Sequence, residues 1–185
     1  MGHVERGRSS RELRHSNENM CNKKQSKEEG GHMVLMFDGL CEPYNPGGVA
    51  TYGFAIYRNW EKLYEERGFV GAGSLGDDVS NNVAEYTALV KGMEYLQKHG
   101  YRGPLEVKGD SQLVIKQMRG EYAVRAKRLI RLHQRAKELA KNFEGVVFEW
   151  VPREENAEAD SLCRAAYKEF ISKGMKRAKL EKSEE

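Results

Sequence analysis

The sequence of 185 residues has only three cysteines, Cys21, Cys41 and Cys163, and no Cys-x-x-Cys pair. That excludes a disulfide framework and argues against a zinc ribbon. No apolar run approaches the roughly 18 residues of a membrane span, which excludes an integral membrane protein. The N-terminus has no apolar segment of the kind a secretory signal carries. Strong charge of one sign is also missing, with 31 Lys+Arg against 28 Asp+Glu and a formal net charge of +3. No internal repeat is visible. These absences point to a reduced cytoplasmic protein with one ordinary domain plus tails, monomeric by default.

Composition shifts twice along the chain. Residues 1–32 are polar, rich in Ser, Asn, Arg and Glu, and nearly free of large apolar side chains. Such a stretch cannot bury enough surface to offset chain entropy, so a disordered extension is expected. The Gly30-Gly31-His32-Met33 joint makes Met33 a candidate natural start. Residues 172–185 are Lys/Glu-rich and read as a charged C-terminal tail or frayed helix. The body is therefore 33–171. Within it, residues 108–141 hold 10 basic and 3 acidic residues, while the remainder is acidic. That separation suggests one face for a polyanion and another place where carboxylates gather.

Periodicity predicts the elements of the body. The apolar run 33–37 reads as a strand buried on both faces. Gly47-Gly48 turns the chain, and residues 49–57 and 62–70 read as a hairpin. A helix is expected over 80–100, capped by Ser80 and striped by Ala84, Ala88, Leu89, Met93 and Leu96. A short strand at 105–109 precedes a helix over 111–119 that stops at Gly120. Residues 124–143 read as a longer helix with Ala126, Leu129, Ile130, Ala136, Ala140 and Phe143 facing the core. A strand at 146–151 and a helix at 156–171 close the order βββαβααβα, an α/β mixed sheet with helices packed on it.

Four acids sit where these elements begin or end: Asp38 after the first strand, Glu85 in the first turns of the 80–100 helix, Asp110 after the 105–109 strand, and Asp160 at the start of the last helix. A carboxylate at the end of a buried strand is costly to desolvate without a partner. If the strands at 33–37 and 105–109 run parallel side by side, Asp38 and Asp110 end close together, and the helix starts bring Glu85 and Asp160 to the same end. Like charges this close cannot all stay ionised without cations. Hard divalent ions with oxygen ligands fit, and a pair of them ~4 Å apart suits phosphodiester hydrolysis.

The motifs that carry these acids resemble type 1 ribonuclease H. They are Phe37-Asp38-Gly39 followed by Asn45-Pro46-Gly47-Gly48, Asn81-Asn82-Val83-Ala84-Glu85, Asp110-Ser111-Gln112, and Asn156-Ala157-Glu158-Ala159-Asp160. The resemblance spans residues 33 to about 170. It implies a ribonuclease H-like fold, with a five-stranded mixed sheet in the order 3-2-1-4-5 and helices on both faces. It implies a catalytic, metal-binding set of Asp38, Glu85, Asp110 and Asp160. The implied activity is endonucleolytic cutting of the RNA strand of RNA/DNA hybrids with two Mg²⁺ ions, or Mn²⁺ in their place, leaving 5′-phosphate and 3′-hydroxyl ends. The resemblance further implies substrate contacts by Asn45, Asn81 and Asn82 near the minor groove and 2′-hydroxyls, by Ser80 at a DNA-strand phosphate, and by Ser111 beside the RNA strand.

Two departures from the family pattern stand out. The family's loop histidine has no counterpart: its position is Trp150, and the five histidines lie elsewhere. Arg153 is the nearest cationic substitute, as in archaeal relatives that lack a basic protrusion; a guanidinium can grip a phosphate but cannot serve as a base. The protrusion is the other missing part, because only Gly120–Ala123 joins the two middle helices. Lys116, Arg119 and Arg125, with Lys127, Arg128 and Arg131, must then supply the positive field, and binding should weaken steeply with salt. Double-stranded RNA stays open as a side substrate. A non-catalytic nucleic-acid-binding module on the same fold is the alternative, which has no need to keep all four acids.

Overall fold

The structure is a computed structural model that describes residues 31–183, with side chains described to Gly174. Except for its last two positions, the N-terminal extension lies outside the described residues, as does Cys21. Strand β1 runs Met33–Glu42, β2 Val49–Arg58 and β3 Glu61–Ala72. Helix α1 follows over Asn81–Lys98, then β4 over Leu105–Gly109, α2 over Gln112–Met118, α3 over Lys127–Ala140, β5 over Val146–Trp150 and α4 over Ala157–Ser183. The last helix continues through residues 172–183, which the sequence marks as a charged tail. No helix among the described residues is long and apolar enough to cross a membrane.

The five strands lie in the order β3-β2-β1-β4-β5. β1 pairs antiparallel with β2 and parallel with β4, and β5 is parallel to β4. β1 lies at the centre of the sheet, and its residues 33–38 are all buried. It does not stop at Phe37 as the apolar run suggests. It continues through Asp38-Gly39 to Glu42, held by the full ladder to β2, in which Asp38 faces Gly53. Asp38 is therefore a mid-strand residue, although it lies just past the end of the parallel pairing to β4. Beyond that point β1 keeps β2 on one side and has no β4 on the other, which leaves an opening past the carboxyl ends of the parallel strands, where α/β sheets put their sites.

Helices cover both faces of this sheet. α1 is capped by Ser80, whose Oγ accepts from the Val83 N–H at 3.3 Å. Its expected stripe, Ala84, Ala88, Leu89, Met93 and Leu96, is buried. α3 begins later than the sequence suggests, at Lys127. Leu129, Ala136 and Leu139 are buried and Leu132 is half-buried, whereas Ala126 and Ile130 are exposed. The spacing 129, 132, 136, 139 keeps one helical face inward, and Ile130 is turned about 100° off it.

Two glycines let the helices reach the sheet at the functional end. A Cβ on Gly39 would lie 2.2 Å from the Glu85 backbone nitrogen, so the first turns of α1 rest directly on β1. On the other face a Cβ on Gly53 would lie 2.7 Å from the Ala159 carbonyl oxygen, so α4 rests on β2. These close approaches bring Glu85 and Asp160 toward Asp38 from opposite faces.

Candidate active site

Asp38 is the buried centre of the cluster, only 6% exposed. Its Oδ1 accepts from the Gly39 N–H at 2.8 Å, and its Oδ2 lies 3.6 Å from the Cys163 sulfur of α4. The parallel register ends at Met36 opposite Lys108. Two residues further on are Asp38, inside β1, and Asp110, just past the end of β4. The Asn156 side-chain amide donates to Asp110 Oδ1 and to the Phe37 carbonyl, both at 2.9 Å. Asn156 ends the turn Arg153–Asn156 before α4, and it is fully buried. Glu85, half-buried in α1, accepts from the Ser111 hydroxyl at 2.7 Å. Ser111 also caps α2, which fixes its hydroxyl between the helix end and Glu85.

Asp160 is held differently. Its Oδ1 accepts from Arg153 and its Oδ2 from Arg164, each at 2.9 Å. Burial works against its charge, but the Arg164 and Arg153 guanidiniums outweigh it and hold the carboxyl below its usual range. Asp38 and Glu85 behave oppositely. Burial pushes Asp38 up to about 7; Asp110 and Asp160 add to the rise, against the Gly39 N–H and the Cys163 thiol. Burial pushes Glu85 up to about 8, opposed by the Ser111 hydroxyl and reinforced by Asp38 and Asp110. Asp38 and Glu85 are thus both raised by acidic neighbours, while the two guanidiniums are bonded to Asp160. Oxygen donors short of a counter-charge are the donor set of a hard divalent cation. One oxygen each from Asp38 and Asp160, with the Cys163 sulfur, lie within 4.8 Å of one another.

The glycine-rich turn joins this end of the molecule. Asn45 Oδ1 accepts from the Asn81 N–H at 3.0 Å, and the Gly47 N–H donates to the Val79 carbonyl at 3.0 Å. Asn45, Ser80 and Asn81 are thereby gathered at the start of α1, one turn from Glu85, with the half-buried Asn82 beside them. Asn81 Oδ1 is a buried oxygen without a hydrogen-bond partner, as is Asn156 Oδ1. Trp150, at the position of the expected histidine, donates its indole N–H to the Asp110 carbonyl oxygen at 3.0 Å.

The basic cluster is divided. Lys116 lies 4.8 Å from the centre of the Tyr122 ring. Arg119 donates to the Phe148 carbonyl at 2.7 Å and lies 3.6 Å from Glu121, and Arg128 pairs with Asp78. Arg125 is exposed in the connection between α2 and α3.

Three residues of the site have no role assigned by the sequence reading. Asn156 opens the motif that ends in Asp160, but its bonds reach Phe37, 119 positions away. Cys163 and Arg164 follow Asp160 by three and four residues, the helical spacing that keeps side chains on one face. That spacing was the available signal.

A family model described as reverse transcriptase-like matches residues 48–166. The curated Ribonuclease HI of Halobacterium salinarum is 34% identical over 142 residues, covering 75% of this chain and 66% of that protein. A bifunctional protein of Mycobacterium tuberculosis is 36% identical over 124 residues, covering 66% of this chain and 32% of that protein. The chain therefore spans less than two thirds of the length of these relatives. Among solved structures, the N-terminal RNase H domain of that mycobacterial protein superposes with a TM-score of 0.69 at 32% identity, covering 78% of this chain and 99% of that one. LC11-RNase H1 in complex with an RNA/DNA hybrid gives 0.67 at 30% identity, covering 75% and 99%.

Proposed function

The chain belongs to the type 1 ribonuclease H family, and on that footing we propose that it hydrolyses the RNA strand of RNA/DNA hybrids as a metal-dependent endonuclease, leaving 5′-phosphate and 3′-hydroxyl ends. The observation that carries this reading is the convergence of Asp38, Glu85, Asp110 and Asp160 from four separate elements. The hybrid bound to the LC11 relative supports the substrate class.

In this reading the four acids are the ligands of two Mg²⁺ ions, with Mn²⁺ as a substitute. When bound, the ions supply a water activated as nucleophile and charge neutralisation at the leaving oxygen. The chain's own residues prepare for this. Ser111 orients Glu85, and Asn156 orients Asp110, so neither carboxylate is free to turn away. Asp38 and Glu85 release their protons as cations enter. Arg153, exposed beside Asp160, grips a backbone phosphate. Asn45, Asn81 and Asn82 read the 2′-hydroxyl side of the groove, since amides can both give and accept hydrogen bonds. The partnerless Asn81 oxygen supports that role. Ser80 and the start of α1 face a DNA-strand phosphate. Lys116, Arg119 and Arg125 hold the flanking backbone.

The experiment is a panel of labelled RNA/DNA hybrid, double-stranded RNA, double-stranded DNA and single-stranded RNA, with and without Mg²⁺ or Mn²⁺. Metal-dependent cuts in the RNA of the hybrid are expected, lost in Asp110→Asn by on the order of a hundredfold or more. No cleavage of the hybrid, or full activity in Asp110→Asn, overturns the assignment. Cleavage in the double-stranded RNA lane establishes the side activity.

A further inference from the structure

Trp150 is the last residue of β5, which forms one edge of the sheet, and the parallel register sets it opposite Gly109. Its indole N–H donates to the Asp110 carbonyl oxygen at 3.0 Å, and the next residue, Val151, donates its N–H to the Gly109 carbonyl at 3.1 Å. Side chain and main chain are thus both tied to the end of β4 that carries Asp110, and the ring is held there. Trp150 is nevertheless 42% exposed. The chain's other tryptophan, Trp60, is exposed too, but its ring is in use: the His32 ring stacks on it at 5.7 Å and the Lys108 ammonium lies 5.4 Å from its centre. Among the described residues no ring stacks on Trp150 and no cation lies over it. An indole fixed beside a candidate catalytic acid, with its face uncovered, is placed for a ligand rather than for the core.

We propose that the exposed face of Trp150 is a substrate contact, packing against the ribose of the RNA strand that adjoins the phosphate to be cut. The inference rests on the reading of the four acids as the cleavage site and adds a binding residue to that site. The phosphate that is cut lies at the acids, and the ring is bonded to the backbone of one of them, so the nucleotide on the ring is a neighbour of the cut. In a hybrid duplex the base faces are already stacked on one another, and a fixed ring reaches one only at the expense of unstacking it. The sugar is open, and its C–H groups suit the electron-rich face of an indole. Arg153 follows three residues later with its side chain 63% exposed. The neutral ring and the guanidinium then divide the work, one taking the sugar and the other the phosphate.

The test uses the full chain in a Trp60→Phe background, which leaves Trp150 as the one indole. Its fluorescence and its quenching by acrylamide are read with and without RNA/DNA hybrid in EDTA, with binding followed by anisotropy of a labelled strand. KM and the single-turnover rate at saturating hybrid are read with Mg²⁺. Bound hybrid should shield the ring from acrylamide at least about twofold. Trp150→Phe keeps a ring but loses the N–H, and should hold KM within about threefold. Trp150→Ala and Trp150→Leu should raise KM at least about tenfold and leave the saturating rate within about threefold, since the lost contact exists before and during the reaction alike. If the hybrid binds while the indole stays equally open to acrylamide, the ring does not touch it and the proposal is overturned. If Trp150→Phe is impaired as much as Trp150→Ala, through the saturating rate rather than KM, Trp150 acts only by holding Asp110, which overturns the contact as well. The shielding measurement needs no change at position 150, so it decides the matter even where Trp150→Ala does not fold. A parent that cleaves the hybrid without shielding its indole sinks this inference alone. A parent that neither binds nor cleaves the hybrid sinks the cleavage reading, and this inference with it.

Discussion

Asn156 and Asp110 are joined by a hydrogen bond of 2.9 Å, and the same Asn156 amide holds the Phe37 carbonyl next to Asp38. One buried side chain thus ties the middle of β1 to the end of β4, the two places that carry the central acids. Asn156→Ala should cost about 1–3 kcal/mol, because it leaves a buried carbonyl oxygen without its donor. It should also slow hybrid cleavage at least about tenfold by freeing the Asp110 carboxylate. Urea unfolding and single-turnover cleavage measure the two effects. A variant with parental rate and stability would show that the amide is dispensable.

Gly39 sets where α1 lies. A methyl group there would press 2.2 Å from the Glu85 nitrogen and 2.5 Å from the Ala84 carbonyl carbon, both backbone atoms that cannot turn aside. Gly39→Ala should therefore shift α1 outward, with a loss of about 1–3 kcal/mol. Glu85 moves with the helix, so Mg²⁺ affinity should fall too. Gly145→Ala is the control, since nothing lies within 4 Å of its added Cβ. Equal melting temperatures and Mg²⁺ affinities for the two variants would remove Gly39 from this role.

Arg153 donates to Asp160, but its side chain is 63% exposed. An exposed pair contributes little to stability, and Arg164 still holds Asp160 when Arg153 is gone. Arg153→Ala should therefore melt like the parent and keep most of its Mg²⁺ affinity, while turnover slows about tenfold through loss of a phosphate contact. Unchanged steady-state and single-turnover rates would take Arg153 out of the mechanism.

The acids also set a pH dependence. Asp38 and Glu85 titrate near about 7 and about 8 in the folded protein, above their ordinary values of 3.8 and 4.5. The folded state then holds more protons than the unfolded chain between those limits. Metal-free stability should fall as pH rises from about 4.5 through 8. Asp160 is shifted the other way, and its contribution is lost as pH falls below its ordinary value of 3.8. Saturating Mg²⁺ should flatten the fall on the alkaline side, because cations replace protons on the same oxygens. Thermal melts across that range, with EDTA and with Mg²⁺, decide it; a metal-free stability that rises toward pH 8 contradicts the assignment.

The sequence by itself determined the parts of the fold that local chemistry controls. The stripe of α1 and its Ser80 cap follow from spacing, and Glu85, Asp110 and Asp160 stand near element boundaries that apolar periodicity marks. The family's motifs then supply the strand order. Where the reading failed, a distant neighbour overruled local preference. Asp38-Gly39 looks like the start of a turn, but pairing with β2 carries β1 on to Glu42. In α3 the phase differs from the expected one: Ile130 is a large apolar residue, yet the inward face passes through Leu129 and Leu132.

Only the tertiary structure decided how the acids are held. Asn156 meets Phe37 across 119 positions and Cys163 meets Asp38 across 125. No local pattern encodes such encounters. They arise because Gly39 and Gly53 let two helices settle on opposite faces of one strand pair, and burial there raises the cost of every unpaired charge. That cost depends on neighbours that the chain order does not reveal.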